Sequence, residues 1–130
     1  MKKILYTLLS ISILLVSLAI AGCGSDGDKY LGTWVIKGTD GSFSYSVISK
    51  SDMKDAYIIT DYEFSINSMD KLYNHSTTAS IKNNILEDSD GLHYTLKDSK
   101  LITNNGHNIY TKVSDKAMTL EEIKSNANKK

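Results

Sequence analysis

The chain has 130 residues, with 15 basic and 15 acidic side chains, a formal net charge of zero and one cysteine. This balance, without a basic cluster, argues against nucleic acid as a partner and against a polybasic membrane patch. A single cysteine excludes an internal disulfide, so stability must come from an apolar core and from backbone hydrogen bonds.

The first 23 residues carry an export pattern. A basic start, Met1-Lys2-Lys3, precedes the apolar run Ile4–Ile20, the small pair Ala21-Gly22 and then Cys23, which is the order of a secretory signal peptide. The quartet Ile20-Ala21-Gly22-Cys23 resembles the lipobox of bacterial lipoproteins. That resemblance implies cleavage before Cys23 and lipidation of its thiol, including a palmitate-type acyl chain. The alternatives are an uncleaved anchor and a thiol that is free or paired with another chain.

Cutting after residue 22 leaves 108 of the 130 residues, enough for one compact domain. We divide the chain into a signal peptide (1–22), a lipidated cysteine with a polar tether (23–29), a β domain (30–113) and a C-terminal helix with its tail (114–130). A short tether would keep the domain close to the membrane surface.

From residue 30 onward the apolar residues alternate with a period of two, which predicts β-strands. Frequent turn signals divide them into seven or eight strands, as in an antiparallel barrel or sandwich. The alternation changes parity at Thr60-Asp61, which predicts a bulge or a tight turn there, and Ser68–Ser76 has no period and is predicted as the longest loop. The expected strands are Leu31–Lys37, Phe43–Ser49, Ala56–Asn67, Thr78–Lys82, Ile85–Glu87, one through Leu92, Tyr94 and Leu96, Leu101–Thr103 and His107–Val113.

The C-terminus changes to a helical pattern. Thr119 and Glu122 have the spacing of a capping box, and Met118 and Ile123 the spacing of a hydrophobic staple. We expect a short helix that rests on the sheet or caps one end of a barrel.

The segment from Asp28 to Trp34, Asp-Lys-Tyr-Leu-Gly-Thr-Trp, resembles the Gly-x-Trp opening of lipocalins and of small lipocalin-like lipoproteins. The resemblance implies an all-β fold, an antiparallel up-and-down meander closing into a barrel of about eight strands, with a short C-terminal helix. It also implies that Gly32 allows a tight turn into the first strand and that Trp34 plugs one end of the barrel. Lipocalins place an arginine across this tryptophan; the chain has no arginine, and Lys112 is the expected cation–π partner.

The aromatic residues of the strands are the candidate interior. We predict that six of them line or plug the barrel and contact any small apolar ligand: Trp34, Phe43, Tyr45, Tyr57, Tyr94 and Tyr110. The alternatives are a barrel filled by its own side chains, with Trp34 as a core plug only, and a solvated Lys112.

Catalytic and metal-binding patterns are missing from the sequence. His75, His93 and His107 lie far apart and lack the spacing of metal ligands, and Asp88-Ser89-Asp90-Gly91 is typical of a β-turn. We therefore expect no metal, no cofactor and no enzymatic activity. An enzyme would require a cluster of His, Asp and Ser that spacing alone does not reveal.

The sequence thus predicts a monomeric, exported lipoprotein of the cell envelope, held in the cell membrane, or the outer membrane where one exists, by lipid on Cys23. Its expected role is non-enzymatic binding of a small apolar ligand or an envelope component. The alternative is a periplasmic protein-interaction module such as an inhibitor or immunity lipoprotein; bacterial lysozyme inhibitors are similar in size, anchoring and barrel shape.

Overall fold

The structure is a computed structural model that describes residues 25–39, 41–65, 68–103 and 106–129, without the side chains of 65 and 68–72. The leader and Cys23 lie outside the described residues, so the signal peptide and the lipobox stay predictions.

Eight antiparallel strands close into a barrel in which each strand pairs with its neighbours in the chain and the first pairs with the last. The predicted all-β, up-and-down meander is therefore confirmed. The strands are β1 (Gly32–Lys37), β2 (Phe43–Lys50), β3 (Ala56–Ser65), β4 (Ser68–Lys82), β5 (Ile85–Asp88), β6 (His93–Lys97), β7 (Lys100–Thr103) and β8 (Ile109–Ser114).

Tight turns join several of these strands where the sequence predicts them. Asn83 and Asn84 both have positive φ (51° and 65°), as do Asp98 and Ser99 (51° and 60°), so two-residue turns of the type that suits twisted hairpins join β4 to β5 and β6 to β7. Asp88 begins the turn before β6, because its Oδ1 accepts hydrogen bonds from the backbone N–H groups of Asp90 (3.0 Å) and Leu92 (2.9 Å).

The predicted loop at Ser68–Ser76 is wrong, because β4 runs through it for 15 residues in all. Its backbone pairs with β3 without a shift as far as Leu72 opposite Phe64 and, after a shift in register, at Ser68 opposite Ser65. Tyr73, Asn74 and His75 are consecutive and all exposed, so both faces of this stretch meet solvent. A strand with two solvated faces has no reason to alternate apolar and polar residues, which is why the sequence pattern indicated a loop.

The predicted bulge at Thr60-Asp61 is also wrong. The pairing of β2 with β3 runs without a shift from Tyr57 to Phe64. The change of parity instead records a change of face: Tyr57 and Ile59 lie inside the barrel, whereas Tyr62 and Phe64 belong to a second apolar cluster on the outside.

The prediction that Phe43 and Tyr45 line the interior of the barrel is wrong as well. They belong to the outer cluster, and Tyr45 packs edge-on against Phe64 with ring centroids 5.9 Å apart. Their neighbour on β2, Ser46, is opposite Trp34 on β1 and therefore shares the inner face with it, while Tyr45 points the other way. Alternation had identified which residues share a face but not which face is inside.

The helix α1 (Leu120–Ala127) covers this outer cluster. It begins at Thr119 with the predicted capping box: the N–H of Thr119 donates to Glu122 Oε2 (2.7 Å) and the N–H of Glu122 to Thr119 Oγ1 (3.3 Å). Ile123 is fully buried against the outer face, with Met118 and Leu120 beside it. The helix thus rests on the sheet, one of the two expected positions.

One end of the barrel is closed by residues Ser25–Tyr30, which we call the strap; it includes a 3-10 helix at Asp28–Tyr30. Tyr30 is buried in the interior cluster, and its hydroxyl donates across the barrel to the carbonyl of Asn84 in the β4–β5 turn (2.9 Å). The carbonyl of Tyr30 accepts a hydrogen bond from Trp34 Nε1 (2.9 Å). We call this the plugged end and the opposite end the far end.

Gly32 makes the entry into β1 possible. Its φ is +127°, and a Cβ there would lie 2.4 Å from the carbonyl oxygen of Ser114. Only glycine tolerates both conditions, so the role predicted for Gly32 matches the backbone found.

Candidate functional site

The inside of the barrel has two layers of different chemistry. Towards the plugged end the inner side chains form an apolar layer, fully buried and packed together: Trp34, Ile48, Tyr57, Ile59, Leu86 and Leu101. Towards the far end the inner positions are a polar layer of Ser46, Asp61, Thr77, Asp88 and Thr103, reached by the hydroxyl groups of Tyr94 and Tyr110.

Strand register brings the polar layer together. Ser46 on β2 is opposite Asp61 on β3, and Thr103 on β7 is opposite Tyr94 on β6. Asp88 follows Leu86 on the inner face of β5. Along the inner face of its strand, each residue of the polar layer lies one or two positions from a residue of the apolar layer. The change from apolar to polar side chains therefore occurs at a similar height around the barrel.

Hydrogen bonds link these groups across the interior. The Ser46 hydroxyl donates to the Asp61 carboxylate and is also a partner of the Tyr110 hydroxyl. On the other side, the hydroxyl of Tyr94 donates a long bond to Asp88 Oδ2 (3.4 Å). Among the described residues, no buried side-chain nitrogen or oxygen is without a hydrogen-bond partner.

The electrostatics of the layer follow from burial. Burial raises the pKa of the Asp61 carboxyl, against the opposing effect of the Ser46 hydrogen bond; the nearby carboxylates of Asp88 and Glu63 raise it further. Burial is also the main cause that raises the pKa of Tyr94 and of Tyr110, with Asp61 adding to both. The two phenols therefore stay neutral and able to donate, and the carboxyl groups repel each other's charge.

The polar layer borders solvent. The next inner position on β3 after Asp61 is Glu63, and the residue opposite Asp61 on β4 is His75; both are exposed. Asp61 itself is half-buried. A group approaching from the far end would meet carboxylate and hydroxyl groups before the apolar layer.

Four of the six predicted aromatic residues lie in the interior cluster: Trp34, Tyr57, Tyr94 and Tyr110. Phe43 and Tyr45 lie outside, under α1. Lys112 is opposite Trp34 on β8 and holds its Nζ 5.0 Å from the centroid of the indole ring, as predicted; the same Nζ donates to Asp115 (3.0 Å).

Ser46 and Asp61 were not among the predicted site residues. The signal at Asp61 was a polar residue on the face that Tyr57 and Ile59 begin. Ser46 gave no signal, because the alternation of its strand had assigned it to the polar face.

Two of the three described histidines pair separately with carboxylates, His75 with Asp90 (3.1 Å) and His93 with Glu87 (3.0 Å). In the described part of the chain, no three His, Cys, Asp or Glu side chains converge as metal ligands would. Nor does any helix within those residues have the length and apolar character needed to cross a bilayer.

A groove of about 430 Å³ lies at the plugged end, lined by Ser25, Asp26, Gly27, Asp55, Tyr57 and Ile81. A second groove, of about 320 Å³, shares Ser25, Asp55 and Tyr57 with it and continues along the Ser51–Asp55 turn. These grooves lie on the opposite side of the apolar layer from the polar layer.

Comparison with known proteins gives no match to a family model, to a curated protein or to a solved structure.

Proposed function

We propose that the chain is an exported protein, anchored by lipid on Cys23, that acts as a non-enzymatic binding module of the cell envelope. Its binding site is the polar layer at the far end of the barrel. The observation that carries this proposal is the change of the inner face from packed apolar side chains to carboxyl and hydroxyl groups beside exposed positions.

The chemistry of the layer favours a ligand that carries hydrogen-bond donors and positive charge, such as an amine-bearing envelope component. Asp61 supplies a carboxyl group, and Tyr94 and Tyr110 supply phenol groups. The apolar ligand predicted from the sequence is less well supported. Ile48, Ile59, Leu86 and Leu101 are 0% exposed and fill the apolar layer, so such a ligand would have to displace them.

A binding role without catalysis agrees with what the carboxyl groups already do. Asp88 uses one oxygen for two backbone N–H groups of its own turn, and Asp61 is held by Ser46. Both carboxyl groups thus already have partners within the barrel, and their proposed role is to hold a ligand rather than to transfer protons.

The ligand proposal is tested by thermal unfolding with a polyamine (spermidine) or a fatty acid (dodecanoate). Spermidine is expected to raise the Tm of the wild type and of the exposed-carboxyl control Asp52→Asn, but not of Asp61→Asn. Stabilisation by dodecanoate alone would favour the apolar ligand, and equal effects of spermidine on all three chains would place its binding outside the polar layer.

The anchor is tested separately by mass spectrometry of the N-terminal peptide from bacterial membranes. Acyl mass on Cys23, with Cys23→Ser recovered without lipid, supports it. A wild-type chain that keeps residues 1–22 would contradict it.

A protein-interaction module is the second candidate, and one observation favours it. Tyr73 is 64% exposed on the long β3–β4 hairpin, and tyrosine is enriched at protein interfaces. Co-purification of a stoichiometric partner with the wild type, lost with Tyr73→Ala, would favour this class; retention of the partner would exclude the hairpin as its site.

A further inference from the structure

We infer that the plugged end of the barrel faces the bilayer and that the polar layer opens away from it, with the Ser51–Asp55 turn beside the lipid headgroups. This inference rests on the proposed lipid on Cys23 and adds the orientation in which the anchored domain works.

The strap, whose residues 25–29 belong to the predicted tether, is fixed to the barrel. The Ser25 hydroxyl is hydrogen-bonded to the hydroxyl of Tyr57 and donates to Asp28 Oδ1 (3.0 Å). Lys50 Nζ donates to Asp28 Oδ2 (3.0 Å). Gly27 packs so closely on the ring of Tyr57 that a Cβ there would lie 2.3 Å from it. The domain therefore starts, in effect, at Ser25.

The short connection limits where the lipid can be. Cys23 is two residues before Ser25, and two residues reach at most about 7 Å. In contrast, β2 has 8 residues and spans about 26 Å along its own axis from the plugged end to the far end. A lipid on Cys23 is thus held beside the plugged end and cannot bring the far end to the same surface.

Charge at the plugged end is mixed. Two carboxylates there are paired with lysines, Asp28 with Lys50 and Asp115 with Lys112. The other exposed charges at this end have both signs: Lys29, Lys54, Lys97 and Lys116 on one side, Asp26, Asp52, Asp55 and Asp98 on the other. The orientation therefore rests on the short connection to Cys23 and not on charge.

Met53 is the residue that we expect to contact the bilayer. It is 63% exposed in the Ser51–Asp55 turn, beside Lys54, and a groove joins this turn to Ser25, from which the chain leaves towards Cys23. The turn also carries the exposed carboxylates of Asp52 and Asp55, so the expected contact depends on the apolar side chain of Met53, which can enter the headgroup layer.

The test compares two single tryptophan substitutions in the full, lipidated chain: Met53→Trp at the plugged end and Tyr73→Trp at the far end. The native residues are 63% and 64% exposed, so the pair is matched, and buried Trp34 gives the same background in both. Each chain is placed in phosphatidylglycerol-containing vesicles with brominated acyl chains, which quench nearby tryptophan.

We expect bromolipid to quench the added emission of Met53→Trp at least about twofold more than that of Tyr73→Trp. Equal quenching would mean a barrel on its side, stronger quenching of Tyr73→Trp an inverted barrel, and no quenching of either a domain held off the surface; each overturns the inference.

Acyl mass on Cys23 is measured on the same samples, so failure of the anchor is recognised separately. In that case a lipid coupled by maleimide to Cys23, the only thiol in the chain, repeats the comparison and tests the orientation alone.

Discussion

The two halves of the barrel bury their apolar side chains on opposite faces of the sheet. Near the plugged end the inner face is apolar, with Trp34 2% exposed under the strap. Towards the far end the inner face is polar, and the apolar residues of β2 and β3 point outward under α1. One sheet therefore has its core inside at one end and outside at the other. The comparison teaches that a barrel this small can free its interior for polar groups by moving part of its core to a helix-covered outer face.

The largest effect is expected from opening the plugged half. Trp34→Ala removes a buried indole and its hydrogen bond to the carbonyl of Tyr30, so we expect a loss of about 3–5 kcal/mol in the free energy of unfolding. Urea unfolding followed by far-UV circular dichroism measures it. The exposed control Tyr73→Ala should change stability by less than about 0.5 kcal/mol. A small effect of Trp34→Ala would mean that the plug is not part of the core.

Removing a side chain from the outer cluster should lower the free energy of unfolding by less than Trp34→Ala does. Ile123→Ala leaves a cavity under α1, and we expect a loss of about 2–3 kcal/mol, near the lower limit for such a change, because the helix can shift to fill it. The exposed neighbour Lys124→Ala is the control. Trp34 emission should keep its buried position while a hydrophobic dye begins to bind. If Trp34 emission shifts as well, the two halves unfold as one unit.

Unlike the two substitutions above, Asp61→Asn should raise the free energy of unfolding at neutral pH. Because burial raises the pKa of Asp61 above its ordinary 3.8, the folded state binds this proton more tightly than the unfolded state. Stability is then lost as the pH rises from about 3.8 through the raised value. The amide does not ionise, so Asp61→Asn should be more stable than the wild type at pH 7 and equal to it at low pH. Thermal unfolding at several pH values, with Asp52→Asn as control, checks the sign; lower stability of Asp61→Asn at neutral pH would contradict it.

The smallest effect is expected at the rim of the plug. Lys112→Gln removes a cation from the face of Trp34, a contact worth about 0.5–1 kcal/mol at a partly exposed site. Urea unfolding against Lys116→Gln, also at the plugged end, isolates the contact. An equal loss of unfolding free energy in the two variants would show that Lys112 is only a solvated lysine.

Local signals allowed much of the fold to be predicted. The turn residues separated the strands, and Thr119 with Glu122 located the start of α1 within a residue. The plug at Trp34 was implied by the resemblance of the Gly32-to-Trp34 segment to lipocalins. These features depend on neighbours in the chain, which a sequence displays directly. The first part of β4 was predicted as a loop because a strand with solvent on both faces does not alternate apolar and polar residues.

The candidate site was harder, for a physical reason. Whether Tyr45 or Ser46 points inward is decided by a helix more than 70 residues later that covers one face. Ser46 and Asp61 meet only through the register of β2 and β3. Alternation defines two faces of each strand, but the choice between them is a long-range property of the barrel.

The position of α1 also sets an order of events. The helix is the last described element, and it is tied to β1 through Thr33 Oγ1, which donates to the carbonyl of Lys116 and accepts from the N–H of Met118 (both 2.9 Å). Synthesis runs from the N-terminus, so a chain that ends at β8 already has every strand while Tyr45 and Phe64 lack their cover. A nascent or truncated chain would expose this aromatic surface and need a chaperone or risk aggregation. Covering this aromatic surface, rather than closing the barrel, is therefore what α1 adds to the folding of the chain.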